Sequence, residues 1–375
     1  MVGAEPHLPY ERPALSKDHL LKGTPLAEFT TFDAPWYDAH DVTLRLGVSA
    51  VVLDLAGHRV ALSDGEELGY TRLALATGSR PRQPDLDGAG AEGVHLLRTI
   101  EDSDALDAAF REGARTAIVG GGWIGLEAAA AARSRGAEVT VLEAGEQPLG
   151  RVLGNTIGAA FADLHRRNGV DLRTGVEVAQ VTATGGRATG VQLADGEHVP
   201  AGTVVFGIGA QPNIELAAEA GLAVDAGVIV DAGLRTSDPD VVAVGDIAEH
   251  DHPILGRRVR VEHWDTARNQ PEVAARTLLG GDAHYDRQPF FFTDQFDLGM
   301  EYRGLAPRPD DVVVRGPLDG ACLAFWLDED DRVAAAMNVN IWDVGDDLDS
   351  LVGDSDRVDR ARLADPQVPL ADVRR

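Results

Sequence analysis

Short apolar runs rich in Val, Ile and Leu alternate with Ala-rich helical stretches along most of the chain. That alternation is the pattern of α/β domains with largely parallel sheets. The clearest unit is ARTAIVGGGWIGLEAAAAARSRGAEVTVLEAG. Thr116 to Val119 is a buried-strand run, glycines follow at once, Ile124 to Arg135 is a strong helix former, Gly136 stops it, and Val139 to Leu142 is the next strand. Together they make a complete βαβ. Upstream, VSAVVLDLAGHRVALSDGEELGYTRLALATGSRPR shows antiparallel alternation with an Asp-Gly turn, then an apolar strand from Leu73 to Ala76. Downstream, VTATGGRATGVQLADGEHVPAGTVVFGIGAQPN repeats the plan, with hairpin signals, a buried strand from Thr203 to Phe206, then glycines. GVIVDAGLRTSDPDVVAVGDIAEH adds two strands closing on Gly245 and Asp246, and from about Phe290 meander-like alternation predicts a final antiparallel domain.

Composition narrows the picture. The chain has 375 residues, 44% of them hydrophobic, enough for two or three domains with real cores. No apolar run approaches the ~18 residues of a membrane helix. The first residues lack a basic cluster and an apolar core of the secretory kind, and Cys322 is the single cysteine, so the expected setting is a reducing cytoplasm. A formal charge of −27, from 34 basic and 61 acidic residues, argues against nucleic acid or anionic membrane as the main partner. The acidic DEDD and DVGDDLDSLVGDSD stretches are expected to be solvated loops or helix ends.

Gly120, Gly122 and Gly125 form G-x-G-x-x-G between a strand and a helix, where the backbone can turn tightly and seat a pyrophosphate on the helix N-terminus. Glu143 closes the following strand close to the ~20-residue spacing expected of the carboxylate that binds an adenosine ribose. A carboxylate there repels a 2′-phosphate and favours NAD over NADP.

Two further stretches extend the pattern. ATGSRPR resembles the strand-to-loop return of flavoproteins built from two dinucleotide-binding domains, and RTSDPDVVAVGDIA resembles their second flavin motif. The opening PYERPALSKDHL then resembles the signature of the FAD-dependent ferredoxin and rubredoxin reductases, the group that includes the reductase components of aromatic-ring dioxygenases. LLRTIEDSDAL, VGGGWIGLE, GIGAQPN, VGDIA, RVEHWDTARNQ and FFFTDQFDLGMEYRG continue the resemblance over essentially the whole chain.

The resemblance implies two Rossmann-like domains of the glutathione-reductase type and a C-terminal α+β reductase domain. Residues 1–110 and 226–288 would form the FAD domain, 111–225 the NAD domain, and 289–375 the C-terminal domain. In the family about 30 residues, a strand, a glycine-rich turn and a helix, precede this opening stretch. Their absence here leads to the expectation of a chain that binds NADH through its middle domain, retains FAD weakly or not at all, and tends to aggregate.

Carried over residue by residue, the resemblance puts Lys17 beside the flavin and Glu127 close to Lys17 and the nicotinamide, as the catalytic pair. FAD contacts fall to Ala4, Arg12, Ala50, Ala76, Thr77, Gly78, Arg82, Arg98, Gly245, Asp246, Trp264 and Phe292. Gly120, Gly122, Ile124, Gly125, Glu127, Glu143 and Gly209 would take NAD, and no metal is implied. Ala4 stands where relatives often place a ribose-contacting acid, with Glu5 adjacent. Taken singly, Arg82 and Arg98 read better as surface charges, Trp264 as a core aromatic and Lys17 as a solvated helix-start lysine, and Asp246 alone favours the flavin role. Relatives commonly carry Trp-Phe-Trp-Ser-Asp-Gln where this chain has Phe290 to Gln295, so its aromatic cover has no N–H to donate.

The reaction so implied is hydride transfer from NADH to the flavin. Disulfide reductases of this plan pass electrons on to a cysteine pair in the region occupied here by PYERPALSKDHL, which has no cysteine. The electrons would leave from the flavin, one at a time, to a small iron–sulfur protein of ferredoxin or rubredoxin type. Two alternatives stay open: a redox-responsive NADH-binding protein resembling apoptosis-inducing factor, and a truncated chain unable to retain FAD.

Overall fold

The computed structural model describes residues 1–375, and the chain divides into two compact units. The first comprises residues 1–13, 25–80 and 210–289, and the second residues 14–24, 81–209 and 290–375.

In the second unit the βαβ read from the sequence is present with small changes at its ends. The strand is Arg115–Val119, the helix Trp123–Ser134 and the next strand Glu138–Glu143. A run of alanines makes the helix narrow, and Ala128 to Ala132 are all buried, so the helix lies close on its sheet. That sheet has five parallel strands in the order Asp171–Thr174, Glu138–Glu143, Arg115–Val119, Thr203–Phe206, Val94–His95. A three-stranded antiparallel sheet of Val178–Thr184, Arg187–Leu193 and His198–Pro200 packs beside it through Val191, Leu193, Val199 and Phe206.

The C-terminal part of the same unit is a five-stranded antiparallel sheet in the order Phe290–Gln295, Leu298–Gly304, Val333–Val339, Cys322–Leu327, Val312–Arg315. The helices Gly345–Leu351 and Arg360–Ala364 contribute Leu348, Leu351 and Leu363 to its core. The acidic DEDD stretch is a turn, and the second acidic stretch carries the helix Gly345–Leu351.

The long helix Gly150–Arg167 is broken at Gly154, whose φ of 80° lies in the left-handed region. A Cβ there would stand 2.1 Å from the Pro309 carbonyl oxygen, so only glycine admits the loop at 309–310. Asp310 then accepts the Asn155 N–H at 2.7 Å, and Trp326 donates to the Pro309 carbonyl at 2.8 Å.

The first unit repeats the plan with shorter pieces. Ala50–Asp54, Arg59–Leu62 and Glu67–Gly69 form an antiparallel sheet. Leu73–Leu75 pairs in parallel with Val241–Ala243, and Val2–Gly3 with Arg45–Leu46. Val228–Val230, Ala248–His252 and Arg257–Arg260 make a third small sheet, and the helix Trp264–Leu278 packs Ala274 into the common valine-rich core.

Candidate functional site

The glycine turn of the second unit is fixed by contact. Gly120 has φ 103°, and a Cβ on it would meet the Gly207 carbonyl oxygen at 2.5 Å. At Gly125 a Cβ would lie 2.1 Å from the Gly120 carbonyl oxygen, so this glycine lets the helix close onto the turn. Gly122 caps the helix, leaving its first N–H groups open. Glu143 ends its strand with Oε2 accepting the Gly121 N–H and Oε1 accepting the Gly145 N–H, each at 2.6 Å. A carboxylate has about four acceptor positions, so two remain for a ligand's hydroxyls.

A cavity of about 800 Å³ opens on this turn, walled by Gly120 to Trp123, Glu143 to Gln147, Val152, Ile208 and Gly209. Val152 and Ile208 expose their apolar surface into it. Size, wall chemistry and glycine cradle fit the adenosine and pyrophosphate of a dinucleotide. Ile124 lies exposed on the first helical turn. Arg82 is exposed, its N–H held by the Gly209 carbonyl at 2.9 Å. Arg98 is half-buried, its N–H bonded to Asp102.

A buried polar group forms elsewhere in the same unit. Lys17 Nζ lies 2.7 Å from Glu127 Oε1, with the lysine 12% and the glutamate 2% exposed. Lys17 is therefore an enclosed ion-paired cation, which the reading as a solvated lysine does not describe. Ser16 donates to Glu127 Oε2, and Thr293 donates to Oε1 at 2.5 Å. With three donors the charge is compensated where water is absent. The Lys17 ammonium also lies 5.1 Å from the centre of the Phe292 ring, a cation–π contact. Asp294 beside them is raised above the ordinary carboxylate range by partial burial, against the pull of Lys17. Sequence reasoning missed Ser16 and Thr293; the only signal for each was its place inside a quoted motif.

In the first unit the Asp246 turn is a single 3₁₀ turn, Gly245–Ile247. Gly245, at φ 73°, donates to Gln270 at 2.7 Å, and Arg260 donates to the Asp246 carbonyl at 3.1 Å. Gln270 Nε2 and Arg260 Nε are buried there with no hydrogen-bond partner. Orphaned donors around a tight turn suit a ligand rich in phosphate and hydroxyl oxygens, as FAD is. Trp264 donates its indole N–H to Glu11, and Arg268 lies over its ring at 5.3 Å while reaching the same carboxylate.

Thr77 donates to the Asn213 carbonyl at 2.6 Å, and Asn213 donates back to the Thr77 carbonyl at 2.8 Å, which fixes the loop Ala76 to Gly78. Ala50 begins its strand half-buried, and Ala4 is exposed. Glu5 is engaged by Tyr10 and by Arg12, the latter at 2.5 Å. Arg258 pairs with Asp251, and Arg260 with Glu262, so two arginines of the strand Arg257–Arg260 are matched by carboxylates.

Cys322 is buried in its strand and its thiol is pushed up to about 11 by desolvation. A thiol so protonated is a poor nucleophile.

Residues 1–271 match the pyridine nucleotide-disulphide oxidoreductase family, and residues 290–374 match a reductase C-terminal domain. The chain belongs to the pyridine nucleotide-disulphide oxidoreductases, and within them to the ferredoxin reductases. The ferredoxin–NAD(+) reductase component of the anthranilate 1,2-dioxygenase system of Burkholderia cepacia is 43% identical over 376 residues, which take in 99% of this chain and 91% of that protein. Rhodocoxin reductase of Rhodococcus erythropolis is 37% identical over 340 residues, 91% of this chain and 80% of that protein. The crystal structure of a covalent putidaredoxin reductase–putidaredoxin complex superposes with a TM-score of 0.93 and 34% identity, covering 99% of this chain and 90% of that one. The architecture is accordingly that of two dinucleotide-binding domains followed by a C-terminal reductase domain.

Proposed function

We propose that the protein is an NADH-dependent flavoprotein reductase of the cytoplasm, passing electrons from NADH through FAD to a small iron–sulfur protein of the ferredoxin or rubredoxin type. The observation that carries this reading is the coexistence of a dinucleotide cavity ending on Glu143 with a single, buried and protonated cysteine. A chain with no dithiol has to release its electrons by another route. FAD, when bound, supplies that route, because it accepts the two electrons of one hydride together and gives them up singly.

The chain's own residues do the binding and orientation. The first turn of Trp123–Ser134 offers N–H groups to a pyrophosphate, and Glu143 offers its free acceptor positions to ribose hydroxyls while repelling a 2′-phosphate. In the first unit, Gly245, Asp246, Arg260 and Trp264 would hold FAD, with Ala4, Arg12, Ala50 and Ala76 to Gly78 around them. Lys17 and Glu127 hold a fixed pair of opposite charges out of water, where their field is stronger than it would be in bulk solvent.

Visible spectroscopy of the FAD-loaded protein tests the reading. NADH is expected to bleach the flavin at once, and an added [2Fe–2S] ferredoxin to restore the colour while becoming reduced. A long-lived charge-transfer band with no reduction of ferredoxin would replace this reading with that of a redox-responsive binding protein.

A further inference from the structure

His165 is buried in the helix Gly150–Arg167, far in sequence from every motif that binds a cofactor. Its Nε2 lies 2.9 Å from Gln295 Oε1, Gln295 Nε2 donates to Thr293 Oγ1 at 3.2 Å, and Thr293 donates to Glu127 at 2.5 Å. Four buried side chains thus form one line, His165, Gln295, Thr293, Glu127, at whose end Lys17 sits. His165 Nδ1 has no partner, and the ring of Phe296 stands edge-to-face with the imidazole, the two centres 5.1 Å apart.

Such a line has a direction. In the forward sense His165 donates Nε2–H to the Gln295 carbonyl, the Gln295 amide donates to Thr293, and Thr293 donates to the carboxylate of Glu127. In the reverse sense Glu127 carries a proton and donates it to Thr293, Thr293 donates to the Gln295 carbonyl, and the turned amide donates to Nε2. The imidazole stays neutral in both, and the reversed line holds one proton more, on Glu127. Reversal also moves the imidazole proton to Nδ1, where a buried N–H would find no acceptor. The tautomer at one end therefore opposes protonation of Oε1 at the other, and a proton on Oε2 would displace the bond that the Ser16 hydroxyl already donates there.

We propose that His165 is a positioning residue that fixes the direction of this buried line and so keeps Glu127 a carboxylate beside Lys17. The charged groups facing Glu127 are Lys17, on the segment leading into Asp18–Lys22, and Asp294, on the strand Phe290–Gln295. Around His165 the only partner of the ring nitrogens is Gln295, and burial lowers the imidazole to about 4, so it stays neutral at working pH. The proposal deepens the reading of the Lys17–Glu127 pair given above and rests on it for its catalytic meaning.

The test needs no electron transfer. The infrared C=O stretch of protonated Glu127, assigned by its loss in Glu127→Gln, is titrated against pH in the purified chain with and without FAD. In His165→Leu and in Gln295→Met the midpoint is expected to rise by about one pH unit or more, with no further rise in the double variant. His165→Gln, whose amide can donate from nearly the same place, is expected to restore it. An unmoved midpoint in either folded variant overturns the proposal. Heteronuclear NMR of the native imidazole supplies an arm free of mutation: a proton on Nε2 supports the lock, and a proton on Nδ1 overturns it. A chain that fails to reduce ferredoxin while its midpoints shift loses the functional reading and keeps this one.

Discussion

Lys17 and Glu127, 110 positions apart in the chain, meet at 2.7 Å in a pocket that leaves the carboxylate 2% exposed. Neither is placed there by local structure alone. Lys17 is held just ahead of the short helix Asp18–Lys22, whose Leu20 carbonyl accepts two bonds from Arg135, and Glu127 projects from the glycine-turn helix. The same glycine turn therefore sets the angle at which Glu127 leaves its helix.

Replacing Lys17 by Met removes the cation and strands the carboxylate with two hydroxyl donors. The expected cost is about 3 kcal/mol of stability at neutral pH, read from denaturant unfolding. Reduction of bound flavin by NADH is expected to slow at least about tenfold, read by stopped-flow absorbance. Native stability and native rate together would mean that the pair is ornamental.

Glu143→Ala removes the acceptor of the Gly121 and Gly145 N–H groups as well as the carboxylate proposed to take the ribose. NADH affinity is expected to fall by about 1 to 3 kcal/mol, and the margin by which NADH is preferred over NADPH to narrow. Titration calorimetry with both nucleotides measures the two quantities. A native chain that prefers NADPH would contradict the role given to Glu143.

Much of this was legible in the sequence, and the reason differs from part to part. The glycine turn, its helix and both strands were readable within a residue or two because their signals are local: a run of β-branched residues, three glycines, alanines, then Gly136. The antiparallel character of the C-terminal sheet was likewise readable from alternation. The line from His165 to Glu127 was not, because its members come from three elements far apart in sequence and each looks ordinary in its own segment. The break at Gly154 escaped too, since its cause is the Pro309 carbonyl of a distant loop. Trp264 was singled out by motif, whereas the only signal for its partner Glu11 was its place inside the opening stretch.

His250 offers a check on stability against pH. Its ring is buried, with His252 and Tyr285 as ring neighbours at 5.3 and 5.4 Å. Burial lowers the folded imidazole from 6.5 to about 4. Between those values the unfolded chain holds more protons, so this contribution is complete above pH 6.5 and is lost as the pH falls toward about 4. The loss is on the order of 3 kcal/mol, and in His250→Leu the acid limb of the unfolding midpoint is expected to flatten accordingly. An unchanged acid limb would show that His250 does not govern it.

Electrons are expected to reach the iron–sulfur partner from the flavin without passing through a thiol. Cys322→Ala is the deciding variant, since alanine leaves no buried hydroxyl to satisfy. The FAD-loaded native and variant proteins are mixed with NADH and a [2Fe–2S] ferredoxin, and ferredoxin reduced per bound flavin is followed with time. Equal rates, within about twofold, are the expected result. Loss of ferredoxin reduction in a variant that still folds, binds FAD and is bleached by NADH would contradict the claim.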